Sequence, residues 1–125
     1  VAERYTPEQI TELAPREVFV FGSNTAGIHG GGAARFAFEH FGAEWGVGEG
    51  LTGRCYALPT MGSLEETAAA VERFLAVAEM SADLTFLVTK VGTGIAGRPV
   101  SEIAPLFARR LPNVVLPREF VEALA

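Results

Sequence analysis

Apolar and polar positions fall into blocks with the lengths and spacings of strands and helices. Val18-Phe19-Val20-Phe21 is an unbroken apolar run of two β-branched and two aromatic residues. Such a run suits a strand buried on both faces, and with Glu17 it predicts a strand over 17–21. Leu84 to Val91 (LTFLVTKV) is a second run of this kind, while Arg54–Leu58 (RCYAL) and Asn113–Leu116 predict shorter strands. Between them the spacing turns helical. Ala34, Phe38 and Phe41 share a face of a helix predicted over 31–41, with Phe36 nearby and Gly42 as its stop. Leu64, Ala68, Val71, Leu75 and Ala78 mark the clearest helix, 64–80, with Glu65 and Glu66 near its positive end. A helix over about 101–110 contains Pro105, which predicts a late start or a 3₁₀ first turn. Pro117 opens a terminal helix to Leu124. Near the beginning, Thr6-Pro7-Glu8-Gln9 reads as a capped helix start, with Ile10 and Leu13 facing the core and Pro15 ending it. Trp45 to Thr52 (WGVGEGLT) reads as an irregular loop or short edge strand. Strands alternating with helices imply one α/β domain over residues 1–125, a three-layer α/β/α fold with a largely parallel central sheet.

Composition narrows the function classes. The chain of 125 residues is 49% hydrophobic and 20% charged, the balance of a globular protein. Its net charge of −5 argues against an extended nucleic-acid surface or a grip on anionic lipid, both of which need clustered cations. One nucleotide held by backbone amides stays open. Cys55 is the sole cysteine, so neither an internal disulfide nor a cysteine-based zinc site can form, and His29 and His40 alone complete no metal site. No apolar run approaches the roughly 20 residues that span a bilayer, and the first residues lack a signal-peptide layout; a cytoplasmic location is the expectation.

Two glycine-rich loops carry the candidate chemistry. After the first strand come Gly22-Ser23-Asn24, then Gly27, Gly30, Gly31 and Gly32, then a helix. Backbone bare of side chains lets a ligand come close, and a helix start favours an anion such as phosphate. The second loop, Gly92-Thr93-Gly94-Ile95-Ala96-Gly97, also lies between a buried strand and a helix. In open α/β sheets such connections gather at the carboxyl ends of strands, so the two loops together are able to bracket a diphosphate. Alone, Gly92 to Gly97 fits G-x-G-x-x-G, but the acidic residue due about 20 positions on is missing. No Gly-Lys-Ser/Thr occurs, which rules out a P-loop.

Together the loops resemble those of macro domains, which bind ADP-ribose. Gly22-Ser23-Asn24 corresponds to that family's Asn-containing turn, Gly30-Gly31-Gly32-Ala33-Ala34 to its glycine run, and Gly92 to Pro99 to its later Ser-Thr-Gly-Ile-x-Gly loop. The string also resembles a family of small bacterial and phage proteins sharing its Gly-Ser-Asn, Gly-Val-Gly-Glu-Gly-Leu and Ala-x-Pro-Thr pieces. The macro-domain resemblance implies that Asn24 contacts the distal ribose beside Gly30 to Gly32. It implies that Thr93, Gly94, Ile95 and Ala96 wrap the diphosphate, with Gly22, Ser23 and Gly97 completing the loops. The family's adenine-reading aspartate, upstream of the Asn turn, has no counterpart. Asp83 is the only aspartate and lies far downstream, and Glu17 stands at a strand's start.

For catalysis, Asn24 is the candidate to hold a water and His29 the candidate acid or base, the alternative for His29 being a loop or capping residue. Arg98 is the leading phosphate cation, with Arg54 and Lys90 as others. Trp45 with Glu49 is a candidate base pocket, against simple packing of the indole. Cys55 is expected to be a buried, inert thiol. No cofactor or metal is implied. The functions left open are an ADP-ribose-type binding module or slow hydrolase, a ligand-free interaction domain of phage origin, and another Rossmann-like nucleotide-processing enzyme.

Overall fold

The apolar run at 18–21 forms the middle of β1 (Glu17–Ser23), which sits at the centre of a five-stranded sheet. The structure is a computed structural model and describes residues 4–125. After β1 come α1 (Gly32–His40), β2 (Gly50–Thr52), β3 (Cys55–Pro59), α2 (Leu64–Glu79) and β4 (Thr85–Val88). The chain continues through α3 (Val100–Ile103), a 3₁₀ turn (Ala104–Phe107), β5 (Val114–Val115) and α4 (Arg118–Leu124). The sheet order is β2-β3-β1-β4-β5. β1 runs parallel to both neighbours, with Phe19 opposite Cys55 on one side and Leu87 on the other. β4 and β5 are parallel, and only the short edge strand β2 is antiparallel. The fold is mixed α/β with a largely parallel sheet.

Alternation along β1 divides the core. Val18 and Val20 join Leu58, Phe74, Phe86, Ile103 and Phe120 in one apolar cluster beneath α2, α3 and α4. Phe19 and Phe21 point the other way, to Ala37 and Phe41 at α1 and to Cys55 and Ala57. α2 is set by its cap: Ser63 Oγ accepts from Glu66 N–H at 3.1 Å while the Glu66 carboxylate accepts from Ser63 N–H at 3.0 Å. Pro105 ends α3 after one turn and starts the 3₁₀ turn, so the helix expected over 101–110 is two short pieces.

One expected element is absent. Residues 6–13 are not helical. Thr6 does not cap a helix; its N–H donates to Leu116 O at 2.9 Å and its hydroxyl to Val115 O at 3.0 Å. Ile10 and Leu13 still reach the core, packing on the Phe19 cluster from an extended segment. A helix of two turns is marginal in water, so the bonds to β5 and this packing override the local signal.

The Phe74 ring is the hub of the larger cluster, 5.0 Å from Tyr56, 5.5 Å from Phe86 and 6.3 Å from Phe107 between centroids. Phe74→Ala is expected to lower unfolding free energy by about 3–5 kcal/mol, read from urea denaturation.

Candidate functional site

The chain leaves β1 for α1 on one face of the sheet and leaves β4 for α3 on the other. β1 and β4 are neighbours, so their departing loops diverge and leave a crevice at the carboxyl edge, where ligands bind in doubly wound sheets. The two glycine loops meet there. A Cβ built on Gly22 would lie 3.2 Å from Thr60 Oγ1 and 3.7 Å from Gly92 N. The resulting cleft, about 710 Å³, is lined by Gly22, Ser23, Asn24 and Gly30 to Ala34 from one side and by Lys90 to Gly92 and Gly94 to Ala96 from the other. Thr60, Met61 and Thr89 close its floor and flank.

The glycines sort by reason. Gly27 and Gly48 serve packing: a Cβ on Gly27 would fall 2.3 Å from the Gly46 carbonyl carbon, and one on Gly48 only 2.2 Å from Asn24 O. The 46–48 backbone therefore lies directly on the 24–27 backbone, and Gly46 N–H donates to Gly27 O at 2.8 Å. The glycine-punctuated stretch braces the first loop before it ends in β2. In contrast Gly30, Gly31 and Gly94 have no left-handed φ, and a Cβ at any of them would meet nothing nearer than 4.0 Å. These three line the cleft.

Residues with unpaired amides line the same space. The α1 N-terminus has no side-chain cap, and the N–H groups of Gly30 to Ala34 find no carbonyl among the described residues. Across the cleft the same holds for Gly94, Ile95 and Ala96, at the tip of a loop closed by Gly97 N–H to Gly94 O (2.9 Å) and Arg98 N–H to Gly92 O (3.0 Å). Thr93 does not contribute to the lining; its hydroxyl donates to Lys90 O at 2.8 Å and so holds the loop's entry. Asn24 staples its own loop, Nδ2 donating to Ile28 O at 2.9 Å and Oδ1 accepting from Ile28 N–H at 3.0 Å. One N–H and one lone pair of its carboxamide stay available.

Several expected participants lie elsewhere. His29 is 1% exposed and outside the cleft lining. Its Nε2 donates to Glu44 O at 2.9 Å, its ring packs on Phe21, Phe38 and Trp45, and Nδ1 has no partner, so it supports the loop from behind. Arg98 turns from the loop to Gly62 O and Glu102. Arg54 binds Leu13 O and Ala14 O at the far end of the sheet, where Glu17 is held below the usual carboxylate range by Arg4 and the Ala14 N–H. Trp45 stacks edgewise on Phe38 and Glu49 pairs with Arg73, both away from the cleft. Cys55 is buried, donates to Thr52 O at 3.0 Å, and burial pushes its thiol up, as an inert cysteine requires.

A second compartment of about 490 Å³ adjoins the first, sharing Gly32, Ala33, Thr89 and Lys90. Its walls are Phe19, Phe36 and Pro117 and the extended segment from Thr6 to Thr11. The segment's reading as a helix hid this wall. Thr60 and Thr89, each just past a strand's carboxyl end, were open to the same positional rule that found the loops. Lys90 Nζ lies 2.7 Å from Glu119 and 3.3 Å from Glu8, and these two carboxylates hold its amine above the usual range.

No protein-family model and no curated protein matches the chain. Among the described residues no helix is long and apolar enough to cross a membrane, and no group of three or more His, Cys, Asp or Glu is placed to hold a metal.

Gly48→Ala is expected to lower stability by about 1–3 kcal/mol, because backbone must move to admit the methyl group. Gly94→Ala is expected to leave it unchanged, and thermal unfolding of the two variants side by side reads the contrast.

Proposed function

We propose that the protein binds an ADP-ribose-like or other nucleoside-diphosphate ligand through its two glycine-rich loops, within a three-layer fold of macro-domain type. The observation that carries this reading is the presence of glycine at 30, 31 and 94, where neither backbone conformation nor neighbouring atoms demand it. Side chains there would fill the cleft, so their absence keeps main-chain amides open to a guest. The uncapped α1 start and the Gly94-Ile95-Ala96 amides supply donors for a diphosphate without any cluster of cations. The apolar second compartment suits the nucleoside half, and the spare donor and acceptor of Asn24 suit a ribose hydroxyl. Slow hydrolysis would rest on Asn24 holding a water, since among the described residues Lys90 is the only titratable side chain lining the main cleft.

A second reading, a protein-interaction domain that takes no small ligand, draws on the exposed apolar side chains of Ile28, Met61 and Ile95 around the cleft.

Calorimetric titration with ADP-ribose, ADP, NAD and ribose phosphate separates the two. The diphosphate ligands are expected to bind, and Gly94→Glu, which sets a carboxylate among the loop amides, is expected to weaken them at least tenfold, about 1.4 kcal/mol. Flat traces across the panel overturn the ligand reading and favour the second.

A further inference from the structure

Lys90 stands at the seam of the two compartments, and it is the only lysine in the chain. Its backbone is fixed from both sides. Thr89 N–H and hydroxyl both donate to Val20 O, at 3.1 and 2.8 Å, and Thr93 ties the Lys90 carbonyl into the second loop. The side chain therefore springs from a fixed Cα at the edge the two compartments share, and Glu8 and Glu119 hold its ammonium. Among the described residues no arginine lines either compartment.

The two carboxylates on Lys90 differ in how they are held. Glu119 belongs to α4 and pairs at 2.7 Å; its side chain is 39% exposed, about half as much as that of Glu8, and its other oxygen is buried without a partner. Glu8 pairs at 3.3 Å, its side chain is 75% exposed, and it sits in a segment, 7–12, that makes no main-chain hydrogen bond with another described residue. Exposed pairs of this sort contribute little and exchange readily. With both carboxylates in place the Lys90 ammonium is already fully paired, with Arg118 also acting on Glu119, so an incoming phosphate finds it free only when one carboxylate leaves.

Resting on the function proposed above, we propose that Lys90 is the phosphate-selecting side chain of the cleft, reached by exchange. An anionic ligand group displaces Glu8 from Lys90, while Glu119 stays and keeps the ammonium aimed. The cleft thereby distinguishes a phosphorylated ligand from a neutral nucleoside, which offers nothing to take the place of Glu8.

The test uses the whole chain, inorganic pyrophosphate and ADP as probes, and calorimetry at one fixed ionic strength, with thermal unfolding to verify folding. Lys90→Met is expected to weaken both probes about tenfold and Lys90→Arg to restore most of the loss. Glu8→Gln is expected to tighten pyrophosphate about threefold, since the competitor's charge is gone and pyrophosphate has no base for Glu8 to contact. A merely structural Glu8–Lys90 pair predicts no gain in Glu8→Gln. The exchange is overturned if Lys90→Met binds pyrophosphate like the wild type, or if Glu8→Gln binds it equally or more weakly. In either case a loss in Gly94→Glu leaves the loop-based function standing. Absence of wild-type binding to both probes and to ADP-ribose overturns both proposals together.

Discussion

The parallel pairing of β1 with strands on both sides is the constraint from which the rest follows. Because β3 and β4 run in its direction, all three strands end at one edge of the sheet. Because the chain turns from β1 and β4 to opposite faces, no helix covers the gap between their ends. The four apolar side chains at 18–21 make this possible. Two are buried under α1 and two under α2, and burial of that kind, about 1.5–3 kcal/mol per large side chain, anchors the strand from which the first loop departs. The loops borrow their position from the strand.

Much of this architecture was legible in residue order. The apolar run at 18–21 and the Leu84–Val91 stretch gave the two central strands, the 64–80 periodicity gave α2, and strand–glycine–helix succession gave both loops at one edge. What escaped the reading was decided by distant partners. Thr6-Pro7-Glu8-Gln9 carries every local sign of a helix start, yet Thr6 is bonded 109 residues away. The glycines at 46 and 48 look like a flexible tract and instead press backbone against the first loop. His29 sits between cleft-lining residues in sequence, but its ring points into an aromatic nest. Arg98 follows its loop closely and is captured by Gly62 and Glu102. Short-range pattern says which element a residue belongs to; which way a loop side chain turns depends on what waits on either side.

The electrostatics fit the acidic composition. A chain with net charge −5 gathers few cations at its cleft, and those near it are already paired with carboxylates. The donors that remain are main-chain amides, which bear no net charge, need no counter-ion, and lose little freedom when a guest arrives. On the function proposed above, such dipoles would hold an anion without adding to the cation count.

The bare positions at 30, 31 and 94 have an implication for how such a protein changes over time. Gly27 and Gly48, by contrast, are locked by their neighbours, and drift there damages the scaffold. At these three sites a methyl or larger group can be added with the framework undisturbed, so the shape of the cavity and the integrity of the framework are inherited separately. Descendants of this sequence can reshape the cleft rim through single substitutions while the architecture beneath stays the same.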